Sequence, residues 1–191
     1  LFVIRLLTYY KFYTTVRIKI KYFTMRDKLT ILGNGSSALL AAIAFSKLGI
    51  SIDLFCDLSK KNDNNLVTFL SYFSLKYLTD IGIDQLSEQN YEKINDIECF
   101  YINKRNNSKT NLNFKDKNFK TLGQIVPNND LFNYLLQKAI EDKNVEIIEE
   151  NIEDIIMDKD IANISLTSGK SYSTKLLILT DGKNKFTSKF T

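Results

Sequence analysis

From Lys28 the chain reads KLTILGNGSSALLAAIAFSKLGISIDLFCD, and this stretch restricts the fold more than any other. Leu29–Leu32 is a short apolar run stopped by Gly33, the pattern of a buried strand. Gly33, Gly35 and Ala38 then spell Gly-x-Gly-x-x-Ala. Ser37–Leu48 follows, with Leu39, Leu40, Ile43, Ala44 and Leu48 at helical spacing. Gly49 stands where a helix-ending glycine belongs, and Ser51–Cys56 reads as a second buried strand. The stretch predicts the βαβ start of a Rossmann-like α/β domain.

Each spacing has a mechanical reason. The first glycine permits a tight strand-to-helix turn, and the second lets a pyrophosphate approach the backbone. The third position needs a small residue where helix and strand pack closely, and Ala38 meets that need. The helix start then offers free N–H groups and a positive dipole end to phosphate. Gly33, Asn34, Gly35, Ser36, Ser37 and Ala38 are therefore the expected phosphate-binding turn of a dinucleotide site. Such a site also wants an acid at the end of the second strand for the ribose hydroxyls. Asp53 lies 20 residues after Gly33 but inside the strand, and is expected to be an ordinary, half-exposed carboxylate. Asp57 lies 24 residues after Gly33, one step past Cys56, and is the expected ribose ligand.

Composition removes several chemistries. With no His in 191 residues, His-dependent acid–base catalysis, Ser-His-Asp triads and His-ligated zinc are excluded. The two cysteines, Cys56 and Cys99, make neither a Cys-only zinc site nor a disulfide framework, and both are expected as small core residues. No metal site and no catalytic side chain are assigned. One Pro and seven Gly argue against an all-β or linker-rich chain.

The charge is uneven. Arg5, Lys11, Arg17, Lys19 and Lys21 give residues 1–24 five bases and no acid. That exceeds the net +4 of the whole chain, so the remainder is slightly acidic. A nucleic-acid partner is not expected, because binders of that class carry a basic face on the folded domain. The basic residues interrupt residues 1–24 too often for a transmembrane helix, and the order of charges does not fit a secretory signal. A transit-peptide-like leader and an amphipathic membrane-surface segment are two readings. The favoured one is sequence upstream of a true start at Met25, so that 25–191 is the dinucleotide-binding domain proper.

Further along, Ser59–Asn65 is a polar loop, and Phe69–Ile81 has helical spacing that ends at Gly82, with its aromatics expected in the core. Strands are expected around Ile97–Ile102, near Asn113, at Gly123–Val126 and at Val145–Ile148, with a helix over Leu131–Ile140. Three short strands, Ile152–Met157, Ile161–Leu166 and Ser171–Tyr172, are separated by turn residues and predict a β-meander. Leu176–Leu179 is a last apolar strand running into Thr180-Asp181-Gly182.

Four of these segments, in this order, resemble group A flavoprotein monooxygenases, and most nearly the ubiquinone-biosynthesis hydroxylases. They are the Gly33-x-Gly35-x-x-Ala38 turn, Asn65–Ser71 with SLKYLTDIGI, Ile125–Leu131 with the helix after it, and Leu176–Asn184 around Asp181-Gly182. The resemblance spans Met25 to Thr191. It implies FAD as cofactor, with pyrophosphate contacts at Gly33–Ser37, ribose contact near Cys56 and Asp57, and a flavin-side role for Asp181 and Gly182. It also implies NAD(P)H as external reductant and a small aromatic or polyprenyl substrate. A cytoplasmic location follows from the same likeness, with peripheral association with the inner membrane or with a quinone-biosynthesis complex as the two further options. The sequence departs from the family pattern at three places. The ribose acid, usually Glu, aligns with Cys56, and two common Arg positions align with Leu66 and Asn129. A second Gly-Asp motif and most of the substrate sheet should lie beyond Thr191.

The expected fold is α/β: a Rossmann-like FAD/NAD(P)-binding domain with an inserted β-meander, C-terminally truncated. The expected function is the FAD-binding part of an aromatic hydroxylase. The alternatives are an NAD(P)-dependent oxidoreductase domain and a decayed or split-gene fragment without activity of its own. Protein begun at Met25 is expected to melt at the same temperature as the full chain and to be equally soluble, which thermal circular dichroism and sedimentation check.

Overall fold

The computed structural model describes residues 28–58, 66–84, 86, 91–103, 108–115, 121–180 and 186. The polar loop expected at Ser59–Asn65 and the segment before Lys28 lie outside these residues. In chain order the elements are β1 (Leu29–Leu32), α1 (Ser36–Ser46), β2 (Ile52–Phe55), β3 (Val67–Ser71), α2 (Tyr72–Asp80), β4 (Lys93–Ile94), β5 (Ile97–Asn103), β6 (Ser108–Phe114) and β7 (Gly123–Pro127). Then come α3 (Asn128–Glu141), β8 (Val145–Ile148), β9 (Ile152–Asp158), β10 (Ile161–Leu166), β11 (Ser171–Thr174) and β12 (Leu177–Leu179). The chain divides into two compact units, Leu1–Lys61 with Phe132–Thr191, and Asn62–Leu131.

The first unit is built on a parallel sheet ordered β12-β1-β2-β8. Its registers run Thr30↔Leu177, Leu29↔Ile52 and Ile52↔Val145, so all four carboxyl ends finish along one edge. A parallel sheet must be covered on both faces, and the alternation of each strand shows how. Leu29, Ile31, Ile52, Leu54 and Ile178 are fully buried, as are Ala38, Leu39, Ala42 and Ile43 of α1. On the other face Leu32, Phe55, Leu177 and Leu179 pack with Ile155, Ala162, Ile164 and Leu166 of the meander β9-β10-β11. The Phe55 and Tyr172 rings meet edge to face at 5.3 Å. Burying a side chain of this size contributes ~1.5–3 kcal/mol. The expected meander and returning strand are thus both present.

The second unit holds an antiparallel sheet ordered β3-β7-β4 and the ribbon β5-β6. Here the structure corrects the helix expected over Phe69–Ile81. Phe69–Ser71 belongs to β3, paired with β7 through Phe69↔Ile125 and Ser71↔Gly123. The helix starts only at Tyr72, where the Ser71 hydroxyl accepts from the Ser74 N–H at 3.1 Å. Of its expected core residues, Leu78 is buried, while Phe73 and Tyr77 stay about half exposed. The short strand β4 had no sequence signal. In the ribbon, Cys99 faces Leu112 and Ile97 faces Phe114, and Cys99 is exposed rather than in the core.

Gly33 is the tightest of the described glycines of the first unit. Its φ is +154°, and an added Cβ would land on the Thr180 hydroxyl and sit 3.3 Å from the Ala38 methyl. Gly33→Ala is therefore expected to destabilise by about 2–6 kcal/mol, the sum of overpacking and backbone strain. Adding Thr180→Ala should recover only the overpacking part. Urea unfolding of the single and double variants checks both.

Candidate functional site

At the carboxyl edge of the first unit's sheet, three backbone bonds hold the strand ends level. The Gly33 N–H donates to Phe55 O at 3.1 Å, Cys56 N–H to Ile148 O at 3.2 Å, and Thr180 N–H to Leu32 O at 2.9 Å. β1 lies between β2 and β12. The order therefore reverses at β1, and in open α/β sheets ligands bind outside the carboxyl ends at such a reversal.

The turn expected to bind phosphate sits at that position. Gly35 is the residue before α1, with an ordinary extended backbone at φ −115° and ψ 172°, and no side chain caps the helix. The first intrahelical bond runs from Ala38 N–H to Gly35 O at 3.0 Å, so the N–H groups of Ser36 and Ser37 precede the ladder. No acid occupies the first turn. The positive dipole end is thus not neutralised from within the helix. A Cβ at Gly35 would meet nothing within 4 Å. This glycine is needed by neither the fold nor the backbone geometry, in contrast to Gly33. Ala38 is fully buried, in the close-packing role that the third motif position requires.

The two strand acids are pulled to opposite ends of β2. Asp53 is 9% exposed, not half-exposed as expected. Lys28 causes the difference, donating to Asp53 Oδ1 and to Glu146 Oε2, each at 2.7 Å. Those bonds, first Asp53 and then Glu146, hold the Lys28 ammonium above its ordinary pKa, and Lys28 holds the Glu146 carboxyl below its own. Lys28, Thr30, Asp53, Ile161 and Thr174 line an open cavity of about 340 Å³ near the amino end of the sheet. Asp57 instead follows the carboxyl end of β2, and its N–H donates to Asn34 Oδ1 at 2.8 Å. The turn and the expected ribose acid are thereby joined directly. Cys56, implied by the resemblance as a neighbour of the ribose, is 1% exposed. Burial, then the Asp57 and Glu149 charges, pushes its thiol up to about 11. Asp181 and Gly182 lie outside the described residues. Among the described residues no cluster of His, Cys, Asp or Glu is placed to hold a metal ion, and no helix is long and apolar enough to cross a membrane.

This architecture is an FAD-binding α/β fold, and several solved structures share it. The p-nitrophenol 4-monooxygenase PnpA from Pseudomonas putida DLL-E4 superposes with a TM-score of 0.64 at 18% identity, over 82% of this chain and 41% of that one. Klebsiella pneumoniae HpxO, solved with FAD and uric acid, gives 0.55 at 18% identity, over 82% and 39%. The flavin-dependent monooxygenase PieE, solved with FAD and substrate, gives 0.63 at 15% identity, over 82% and 30%. The chain thus spans well under half the length of each of these proteins. No curated protein matches the sequence. The description of the family "Glucose inhibited division protein A" matches residues 28–189, and the chain belongs to that FAD-binding family.

Cys56 generates a prediction of its own. At pH 8 iodoacetamide is expected to modify Cys99 and spare Cys56 until the chain is unfolded, as read by mass spectrometry. The folded state keeps the Cys56 proton beyond the ordinary thiol value of 9.0, up to about 11. Its contribution to stability is therefore complete below pH 9 and is lost as pH rises through 11. A Cys56→Ala variant should lack that part of the alkaline decline in melting temperature.

Proposed function

We propose that this chain is the FAD-binding portion of a flavin-dependent monooxygenase, with the Gly33–Ala38 turn and Asp57 holding the adenosine diphosphate end. The observation that carries the reading is Gly35. Its backbone is ordinary and its missing side chain leaves open space, which a pyrophosphate on the Ser36 and Ser37 N–H groups would use. The Asp57 carboxylate, one residue beyond the buried Cys56, accepts from the ribose hydroxyls. Asp181 and Gly182 follow β12 in sequence, and we assign them to the flavin side of the site. When bound, the flavin supplies the electron and oxygen chemistry. The chain's own residues bind and orient it, and no His is needed for that.

The narrower reading is hydroxylation of an aromatic ring in ubiquinone biosynthesis, on a polyprenylated phenol and with NAD(P)H as reductant. It is supported by the order of the four sequence segments. An NAD(P)-binding oxidoreductase domain is the runner-up. FAD is favoured over it because the similar structures HpxO and PieE were both solved with FAD.

Titration of the purified chain with FAD, followed by flavin fluorescence, tests the assignment. Gly35→Val is expected to abolish binding, with a small effect on the melting temperature. Asp57→Asn should weaken binding by ~1.5–3 kcal/mol, the range for a hydrogen bond to a charged group, or about 10–150-fold. Asp53→Ala should leave affinity unchanged. Tight binding that survives Gly35→Val would remove the assignment.

A further inference from the structure

We infer that Asn34 is a positioning residue, whose side chain fixes the ribose-binding acid Asp57 at a set distance from the pyrophosphate turn. The inference rests on the cofactor site proposed above and goes beyond it, because it gives the Asn34 side chain a role that the glycine motif does not require. In Gly-x-Gly-x-x-Ala the second position is free, and an exposed residue there needs no particular chemistry.

The geometry supplies one. Between β1 and β2 the ladder runs as far as the bond from Gly33 N–H to Phe55 O. In a continued parallel ladder the next rung would join Asp57 N–H to the carbonyl of residue 33. The chain turns at Gly33, with φ +154°, and leaves that course to start α1. The Asn34 amide oxygen takes the place of the strand carbonyl, accepting from Asp57 N–H at 2.8 Å across 23 residues of sequence. The side chain thus adds a rung after the backbone has departed. The Cys56 N–H is bonded to Ile148 O on the other side. Positions 56 and 57 are therefore each tied to a neighbouring segment, and the start of the following loop is fixed against the turn.

The choice of residue follows from charge. Asp at position 34 would retain the acceptor but add a second carboxylate beside Asp57, facing an anionic pyrophosphate. Asn keeps the acceptor and stays neutral. Ala or Ser cannot reach the N–H. An amide at this position lets the turn attract phosphate while it braces the acid that reads the ribose.

A double-mutant cycle on the 191-residue chain, with FAD as the titrant, tests the inference. Asn34→Ala is expected to weaken FAD binding about 3–10-fold, the usual worth of one hydrogen bond. In the Asp57→Asn background, which keeps the backbone N–H but lacks the charge, the same substitution should cost less than about twofold. Residues that act through one another are not additive. A purely structural role for Asn34 would weaken both backgrounds equally, and that result would overturn the inference while leaving the cofactor site intact. So would wild-type affinity in Asn34→Ala. If the unsubstituted chain binds no FAD, the cofactor reading and the inference both fall. Should Asn34→Ala melt too low to titrate, Asn34→Ser breaks the same bond and completes the cycle under the same criteria.

Discussion

The approach of β12 to the turn after β1 sets the geometry of the first unit. Gly33 leaves no room for a Cβ because the Thr180 hydroxyl and the Ala38 methyl already fill it. Thr180 is held there by two bonds to Leu32 O, from its N–H at 2.9 Å and its hydroxyl at 3.0 Å. That contact fixes where the chain leaves the sheet, and hence where α1 begins and which way its first N–H groups point. The buried layers on either face then follow from strand alternation. A wider turn would let the helix start drift, and the donors at Ser36 and Ser37 would no longer converge on the sheet edge.

The two glycines of the turn are constrained by different things. Gly33 is required by the chain itself, through sterics and backbone angle. Gly35 satisfies no internal demand: its φ is ordinary and the space beside it is open. The same division separates the acids of β2. Asp53 is consumed by the Lys28–Glu146 cluster at the amino end of the sheet, and Asp57 is braced by Asn34 at the carboxyl end. Charges are closed off at one end of the sheet, and donors are gathered at the other.

Much of this was legible in the sequence, for reasons that can be named. β1, α1 and β2 have apolar runs punctuated by glycine, so the local pattern and the final environment agree. The meander was readable because Lys159 and Gly169 mark its turns, both with positive φ. β3 is hidden in the sequence because Val67–Ile81 is rich in apolar and aromatic residues throughout, and helical spacing can be found along most of it. What makes Phe69 a strand residue is its partner Ile125, far along the chain and invisible to any local window. The burial of Asp53 was hidden similarly, since it depends on Glu146 and Lys28 meeting across strands. Composition alone suggests an interior place for Cys99, whereas its ribbon leaves it in solvent. The bond from Asp57 to Asn34 had a faint signal, an amide between two glycines and an acid just past the next strand. Only the structure shows that the two touch.

The order of the parallel sheet also bears on how the chain reaches this state. β1 is an inner strand, yet one of its two partners, β12, comes far along the chain, with Thr30 pairing Leu177. The pairing on the far side of β2 is similarly remote, because Ile52 pairs Val145 across the whole second unit. Such sequence separations raise contact order, and loop-closure entropy must be met before the paired strands return anything. During synthesis β1 can pair early with β2, while its other edge waits for β12 far along the chain, a state prone to wrong pairing. The second unit has no such delay, since β3, β4 and β7 are contributed by one contiguous stretch. Folding from the middle outward, with the nucleotide-binding sheet closing last, is the sequence of events that this topology favours.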